Sequence, residues 1–252
     1  MRGVATLVTG DVILPLRAQF RQEMSCQIVH DSLHTRPGWT STYALHLDDA
    51  LAGFGSIAIA GPWRDKPTIF EFYVQHMHRG RAFDLFEAFV ESSGARLMEI
   101  QSNDTLLAVM LHAYARDIWT ERIVFSDQLA TALPANGAVL TQVTSDEEIR
   151  LSIAERAGQA EWRLQVEGQS AGNGAILFHY NRPYCDLAMD IAEPFRRRGF
   201  GSYLVQQLKR AAYQLGSVPC ARCSPDNIAS RKTLQKAGLV PFAHILNGTI
   251  PE

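Results

Sequence analysis

The stretch richest in chemistry runs Met189-Asp190-Ile191-Ala192-Glu193-Pro194-Phe195-Arg196-Arg197-Arg198-Gly199-Phe200-Gly201-Ser202. Its apolar start reads as the end of a buried strand, and the run from Phe200 reads as the opening of a helix. A loop that opens a helix offers unpaired backbone N–H groups at the positive end of the helix dipole. That is a ready site for a pyrophosphate. Gly199 and Gly201 let the backbone approach phosphate closely, where a Cβ would intrude. Arg196, Arg197 and Arg198 add guanidinium charge for further phosphate groups. The plainer reading of these arginines is a solvated basic turn. An RNA contact lacks the surrounding basic and aromatic platforms such binding needs.

Downstream, Asn227-x-x-Ser230 stands near the start of a second helix that closes on Lys236-Ala237-Gly238-Leu239. Asn227 also suits the ordinary duty of an N-cap. Upstream, Asp186 and Asp190 share one strand face by the period-two rule, and Glu193 follows in the loop. Each of these three carboxylates is a possible proton acceptor, and each is equally a possible surface or hydrogen-bonded group.

Other polar groups are weaker signals. His30 and His34 are four apart, a metal-ligand spacing on a helix, but imidazoles at a helix end also suit the dipole. His76-x-His78 is no stronger, and no metal is expected. Cys220 and Cys223 lie in a strand-like run, so their side chains point to opposite faces and read as buried thiols. Trp63 and Trp119 read as packing residues.

The elements that must position these residues fall into two halves. In the second, Ala138 to Val143 reads as a strand, and Ser145-x-x-Glu148 is a capping box opening a helix to about Ala157. Trp162, Leu164 and Val166 alternate as a half-buried strand. Gly168, Gly172 and Asn173-Gly174 read as a hairpin loop. Strands follow over 175–180 and 184–191, then the basic loop. A helix carries Leu204, Leu208, Ala212 and Leu215, and a strand spans 218–223. A last helix covers 226–237, and two short strands flank Asn247-Gly248. The first half runs in the same order. It has a helix over 14–30 with Leu16, Phe20, Met24 and Ile28 on one stripe, and strands at 54–60, 68–74, 97–101 and 118–125. Its further helices span 81–90, with Phe83, Phe86 and Val90, and 103–115, capped by Asn103. This is a duplicated α/β (α+β) chain, each half a mixed, mostly antiparallel sheet flanked by helices.

Composition narrows the function classes. The 252 residues are 46% hydrophobic and 20% charged, with 24 Lys and Arg against 26 Asp and Glu. That is ordinary globular usage, without the basic excess of a general nucleic-acid binder. No stretch spans a membrane; the weakly polar run from Leu51 to Pro62 is far too short. The start is broken by Asp11 and followed by no cleavage pattern, so it reads as mature protein and the expected location is cytoplasmic. Four cysteines do not make a disulfide scaffold.

The spacing Arg196-x-x-Gly199-x-Gly201, with Asn227-x-x-Ser230 and Lys236-Ala237-Gly238-Leu239, resembles the GNAT superfamily of acetyl-CoA-dependent N-acetyltransferases. The pattern there is Arg/Gln-x-x-Gly-x-Gly/Ala, then a helix ending Lys-x-Gly-Phe. Leu239 replaces the Phe, and the resemblance spans about residues 138 to 246. It implies acetyl-CoA held between strand 184–191 and strand 218–223. Met189, Ile191, Arg196, Arg197, Arg198, Gly199, Phe200, Gly201, Ser202, Asn227 and Ser230 would be its binding residues. It implies direct attack of an amine on the thioester, an oxyanion met by a backbone N–H near Ile191, and a base for the protonated amine. Many members carry an acid about five residues before the position of Ile191, which favours Asp186 over Asp190 and Glu193. Many also place a Tyr in the last helix, where this chain has Leu234. That departure leaves the thiolate's proton donor open and keeps alive a CoA-binding module without turnover.

In the first half Val74 aligns with Ile191, and Arg79-Gly80-Arg81-Ala82 with Arg198-Gly199-Phe200-Gly201, placing Met77 at Arg196. The step from Val74 to Gly80 is six residues against eight from Ile191 to Gly199. A shorter loop with one glycine fewer grips a pyrophosphate poorly. The expected organisation is therefore two tandem GNAT-like domains, 1–136 degenerate and 137–252 binding acetyl-CoA. The acceptor, a small-molecule amine or a peptide N-terminus, stays open, as does the choice between monomer and homodimer.

Overall fold

The computed structural model describes residues 3–27 and 31–251. Twelve strands and seven helices follow in chain order among them. They are β1 (Gly3–Val8), α1 (Leu14–Met24), α2 (Asp31–His34), β2 (Thr40–Leu47), β3 (Ala50–Ala58), β4 (Thr68–Val74), α3 (Ala82–Ser93), β5 (Leu97–Gln101), α4 (Thr105–Tyr114) and β6 (Arg116–Asp127). The chain continues with β7 (Ala138–Gln142), α5 (Asp146–Glu155), β8 (Gln159–Val166), β9 (Gln169–Leu177), β10 (Tyr184–Ile191), α6 (Phe200–Gln214), β11 (Val218–Cys223), α7 (Ile228–Lys236) and β12 (Leu239–Thr249). No helix is long and apolar enough to cross a membrane, among the described residues.

Two compact units result, Met1–Glu121 with His244–Glu252, and Arg122–Ala243. The division therefore falls at Glu121 and takes back the last residues, whereas the turn-rich stretch before Ala138 suggested a boundary at 136. The reason is that β6 and β12 are long strands, each beginning in one unit and ending in the other.

In the first unit the sheet runs β1-β2-β3-β4-β5, with the end of β12 antiparallel to β5. Only β4 and β5 run parallel, joined by the crossover helix α3. Phe72, Phe86 and Phe89 pack together in one core, and Ile13, Leu16, Phe20 and Met24 pack on Phe54 and Tyr73 in another. In the second unit the order is β6-β11-β10-β9-β8-β7, with β10 and β11 the parallel pair and α6 their crossover. Helix α6 buries Leu204, Val205, Leu208 and Ala212, one stripe at helical spacing. Ser145 and Glu148 close the capping box of α5.

Several expectations need correction. Helix α1 ends at Met24, because Ser25 turns left-handed with φ 49°; Ile28 and His30 lie outside the described residues. Asp104, not Asn103, caps α4, its carboxylate accepting from Leu107 N at 3.0 Å. Phe83 is half exposed, and α3 instead buries Leu85, Phe86 and Phe89. Strand β1 carried no strong sequence signal. The hairpin turn falls at Glu167-Gly168, and Gly172, Asn173 and Gly174 lie inside β9. Gly172 serves close approach there: a Cβ would sit 2.4 Å from Asp190 O. Asn247-Gly248 likewise lies within β12, one continuous strand rather than two.

Candidate active site

Strands β10 and β11 pair for three residues only, Tyr184 with Val218, Cys185 with Pro219 and Asp186 with Cys220. Beyond that fork β10 stays on β9 as far as Ile191, opposite Gly172, while β11 stays on β6. One edge of β10 is thus left open from Leu187 onward. Ala192 N donates toward β9, to Ala171 O at 2.9 Å. Backbone groups alternate sides along a strand, so Met189 and Ile191, odd steps away, aim theirs into the opening.

The opening leads into a groove of about 850 Å³. Met189, Asp190 and Ile191 form its strand side, Arg196, Arg197 and Gly201 the loop side, and Asn227, Ser230 and Thr233 the α7 side. The loop is a short 3-10 turn over Glu193–Phe195, an extended Arg196, a left-handed Arg197 with φ 59° and Gly199 with φ 90°. A φ of that size favours glycine and turns the chain into α6. Arg196 folds back, its Nε donating to Ile191 O at 2.8 Å. Arg198 lies over the rings of Phe195 and Phe200, 5.7 and 5.2 Å from their centroids. At Gly201 a Cβ would lie 3.2 Å from Thr233 Cγ2, so a larger side chain would enter the gap between loop and α7. A second pocket of about 280 Å³ borders Gly199 and is lined by Arg197, Arg198 and Lys236, with no acid.

The structure therefore brings Met189, Asp190, Ile191, Arg196, Arg197, Gly201, Asn227 and Ser230 to one groove, and Arg198 and Gly199 to its neighbour. Phe200 and Ser202 are buried and line neither. Asn227 is also the N-cap of α7, its Oδ1 accepting from Ser230 N at 3.0 Å. Leu234 is buried in the core on the same helix.

The three carboxylates part company. Asp190 lines the groove with its side chain 78% exposed, and Arg196 NH2 lies 3.9 Å from it. Glu193 is exposed and lines neither pocket. Asp186 is buried at the fork, with Arg222 Nε 3.3 Å and His179 Nε2 4.0 Å from its Oδ2. Burial pushes its pKa up to about 6, against the pull of the Arg222 guanidinium. Among the described residues, its Oδ1 and the buried Tyr180 hydroxyl close no hydrogen bond of good geometry. Sequence reasoning missed this cluster, because Asp186 on β10, Arg222 on β11 and Tyr180 in the turn before β10 meet only once the two parallel strands are side by side. Thr233 was legible: it stands three residues after Ser230, on the same helix face.

The first unit repeats the fork and fills it. Strands β4 and β5 pair only at Thr68–Leu97 and Ile69–Met98. Arg79 Nε donates to Val74 O at 3.1 Å, as Arg196 does to Ile191 O. Arg79, rather than Met77, thus makes the bond that Arg196 makes in the second unit. The Asp84 carboxylate accepts from Arg81 Nε at 2.6 Å. Helix α1 covers this end: Tyr73 donates to Glu23 Oε1 at 2.6 Å, and Glu23 also pairs with Arg79. Deeper in, Arg17 holds Asp31 and Glu71, each at 3.0 Å, and His34 Nε2 lies 2.8 Å from Glu71 Oε2. Burial raises the Glu71 pKa, but Arg17 and His34 outweigh it and hold it at about 2. Among the described residues no group of three or more His, Cys, Asp or Glu is placed to hold a metal. Cys26, Cys185, Cys220 and Cys223 are buried and form no disulfide among the described residues.

The acetyltransferase (GNAT) domain model matches residues 111–240. A GNAT-family acetyltransferase from Colwellia psychrerythraea superposes with a TM-score of 0.70 over 98% of this chain and 99% of its own, at 14% identity. A tandem GNAT protein from the clavulanic acid biosynthesis pathway gives 0.61 over 99% and 98%, at 14% identity. A GCN5-related N-acetyltransferase from Sphaerobacter thermophilus gives 0.55 over 99% and 96%, also at 14%. At such identities the likeness is one of fold. No curated protein matches the chain in sequence.

Proposed function

The chain belongs to the GNAT acetyltransferase family, and we propose that its second unit, Arg122–Ala243, binds acetyl-CoA and transfers the acetyl group to an amine. The observation that carries this is the open edge of β10 running straight into the phosphate-type loop at Arg196–Gly201. An amide-bearing pantetheine arm can extend the sheet along Met189 and Ile191, as a peptide adds to a strand edge. The pyrophosphate then meets the N–H groups that open α6, beside Arg196 and Arg197. The small pocket with Arg197, Arg198 and Lys236 suits a further anionic group of the cofactor.

With the thioester at the fork, a backbone N–H at Ile191 faces the oxygen that becomes negative as the amine attacks. A donor fixed in place before reaction stabilises that charge without reorganising. The attacking amine must first lose a proton. We assign its removal to Asp190 through a water, because a base must first be within reach and Asp190 is the carboxylate in the groove. Asp186 stands at the closed end of the fork and holds Arg222 there. The hydroxyls of Ser230 and Thr233, both in the groove, can return a proton to the leaving thiolate.

The first unit, in this account, takes no CoA. Its fork is closed over by α1, whose Glu23 binds both Tyr73 and Arg79. A second reading, CoA binding without turnover, is favoured by Leu234, buried where many family members carry a Tyr. Release of CoA thiol, followed with a panel of primary amines and amino-acid amides, separates the two. Amine-dependent release supports transfer; tight CoA binding with no release from any amine supports the second reading.

A further inference from the structure

The first unit has a pocket of its own, of about 230 Å³, lined by two indoles. Trp63 closes a 3-10 turn over Gly61–Trp63 and packs by one side on the cluster of Leu33, Ala58 and Phe70. Its Nε1 donates to Glu99 Oε2 at 3.2 Å, fixing indole and carboxylate relative to each other. Trp119, from β6, also lines the pocket and is 55% exposed. Its neighbour Ile118 packs on the core, so period two turns Trp119 and Glu121 together to the outer face. Glu121 accepts there from Asn247 Nδ2 at 3.3 Å, and Asn247 lines the same pocket.

Sequence reading took both tryptophans for packing residues, and only Trp63 is one. A large indole left more than half in water, beside a concavity, is a poor use of apolar surface unless something covers it. The faces of indoles carry negative quadrupole charge and attract cations, alkylated ammonium above all. Glu99 inside the pocket and Glu121 beside it have the matching sign. Lys66 also lines the pocket, but it is exposed and flexible enough to keep its ammonium in water when the space is filled.

We propose that this pocket is a binding site for a small organic cation carrying an alkylated ammonium group, held between Trp63 and Trp119 and countered by Glu99. The site lies wholly within the first unit and is independent of the acetyl-transfer reading. It gives a ligand-binding role to a unit that, on that reading, takes no CoA.

Calorimetry with choline chloride and the full chain tests it. Choline nitrogen carries no proton, so the cation cannot be mistaken for an N-acetyl acceptor. The expected result is saturable binding, with the neutral isostere 3,3-dimethylbutan-1-ol weaker by about tenfold or more. Trp119→Ala and Glu99→Gln should each weaken choline by about tenfold. Thermal melts that match the parent chain would confirm that Trp119→Ala, a change at an exposed side chain, is folded. Absence of choline binding overturns the proposal. So does equal binding of the neutral alcohol, or undiminished binding in folded Trp119→Ala, which would put the cation elsewhere.

Discussion

Arg222 places its Nε 3.3 Å from the buried Asp186 Oδ2 at the point where β10 and β11 part. The two residues belong to neighbouring strands, Asp186 facing Cys220 two residues before Arg222. The pair therefore stands as a bolt at the closed end of the fork. Raising the Asp186 pKa from 3.8 to about 6 means that folding costs stability as pH rises through that interval, and the cost is complete above it. Arg222 limits the cost. Arg222→Met should push the Asp186 pKa higher still and destabilise the protein by about 1–3 kcal/mol at pH 8. At pH 5 the loss should be smaller, since the carboxyl is then mostly neutral. Chemical denaturation at the two pH values checks this; an equal loss at both would contradict it.

The proton acceptor is tested by pairing two variants. Asp190→Asn should lower kcat by about a hundredfold while acetyl-CoA binds as before. Asp186→Asn should keep most of kcat and relieve the stability cost above pH 6. Glu193→Gln, at an exposed side chain outside both pockets, should be nearly silent. A hundredfold loss in Asp186→Asn with a silent Asp190→Asn would move the base to the fork.

Much of this site was legible because it is local. The strand 184–191, the loop and the start of α6 are consecutive, and the anion-binding logic of glycine, arginine and a helix start needs no tertiary partner. The parallel strands 68–74, 97–101, 184–191 and 218–223 were readable to the residue, being short apolar runs between clear turns. What failed was glycine taken as punctuation. Gly172, Gly174 and Gly248 sit inside strands to let other groups pass closely. The alignment of the halves also slipped by two positions, since a motif match weighs residue types whereas the bond from Arg79 to Val74 O depends on geometry. The charged network of Arg17, Asp31, His34 and Glu71 was not legible: His34 drew notice only for its spacing from His30, not for Glu71. Its members lie on three elements, Asp31 and His34 sharing α2, and meet only when α1, α2 and β4 pack.

That network carries a prediction with the opposite sign to Asp186. Glu71 is depressed from 4.5 to about 2, so its contribution is fully present above about pH 4.5 and is lost as pH falls toward 2. The shift corresponds to stabilisation on the order of 3 kcal/mol at neutral pH. Glu71→Gln should therefore cost stability at pH 7 and progressively less below pH 4. Melting curves over that range decide it, and a pH-independent loss would contradict the account.

Lys209 pins the segment before β7. It is buried, and its Nζ donates to Leu129 O at 2.9 Å and Ala237 O at 2.7 Å while lying 2.6 Å from Asp127 Oδ1. Gln206, one turn earlier, accepts from Leu133 N at 2.7 Å. Lys209→Met keeps the stem but strands those acceptors, a loss of about 2–4 kcal/mol. Limited proteolysis should then cut within residues 128–137 sooner than in the parent chain. Unchanged cleavage would mean that the segment is held by other contacts.

The central claim is that the cofactor belongs to the second unit, and calorimetry of acetyl-CoA with the full chain tests it most directly. The account predicts a single site per chain, abolished by Gly201→Glu, which puts a carboxylate into the gap beside Thr233 where the phosphates must come. Two sites in the parent chain, or binding that survives Gly201→Glu, would contradict it.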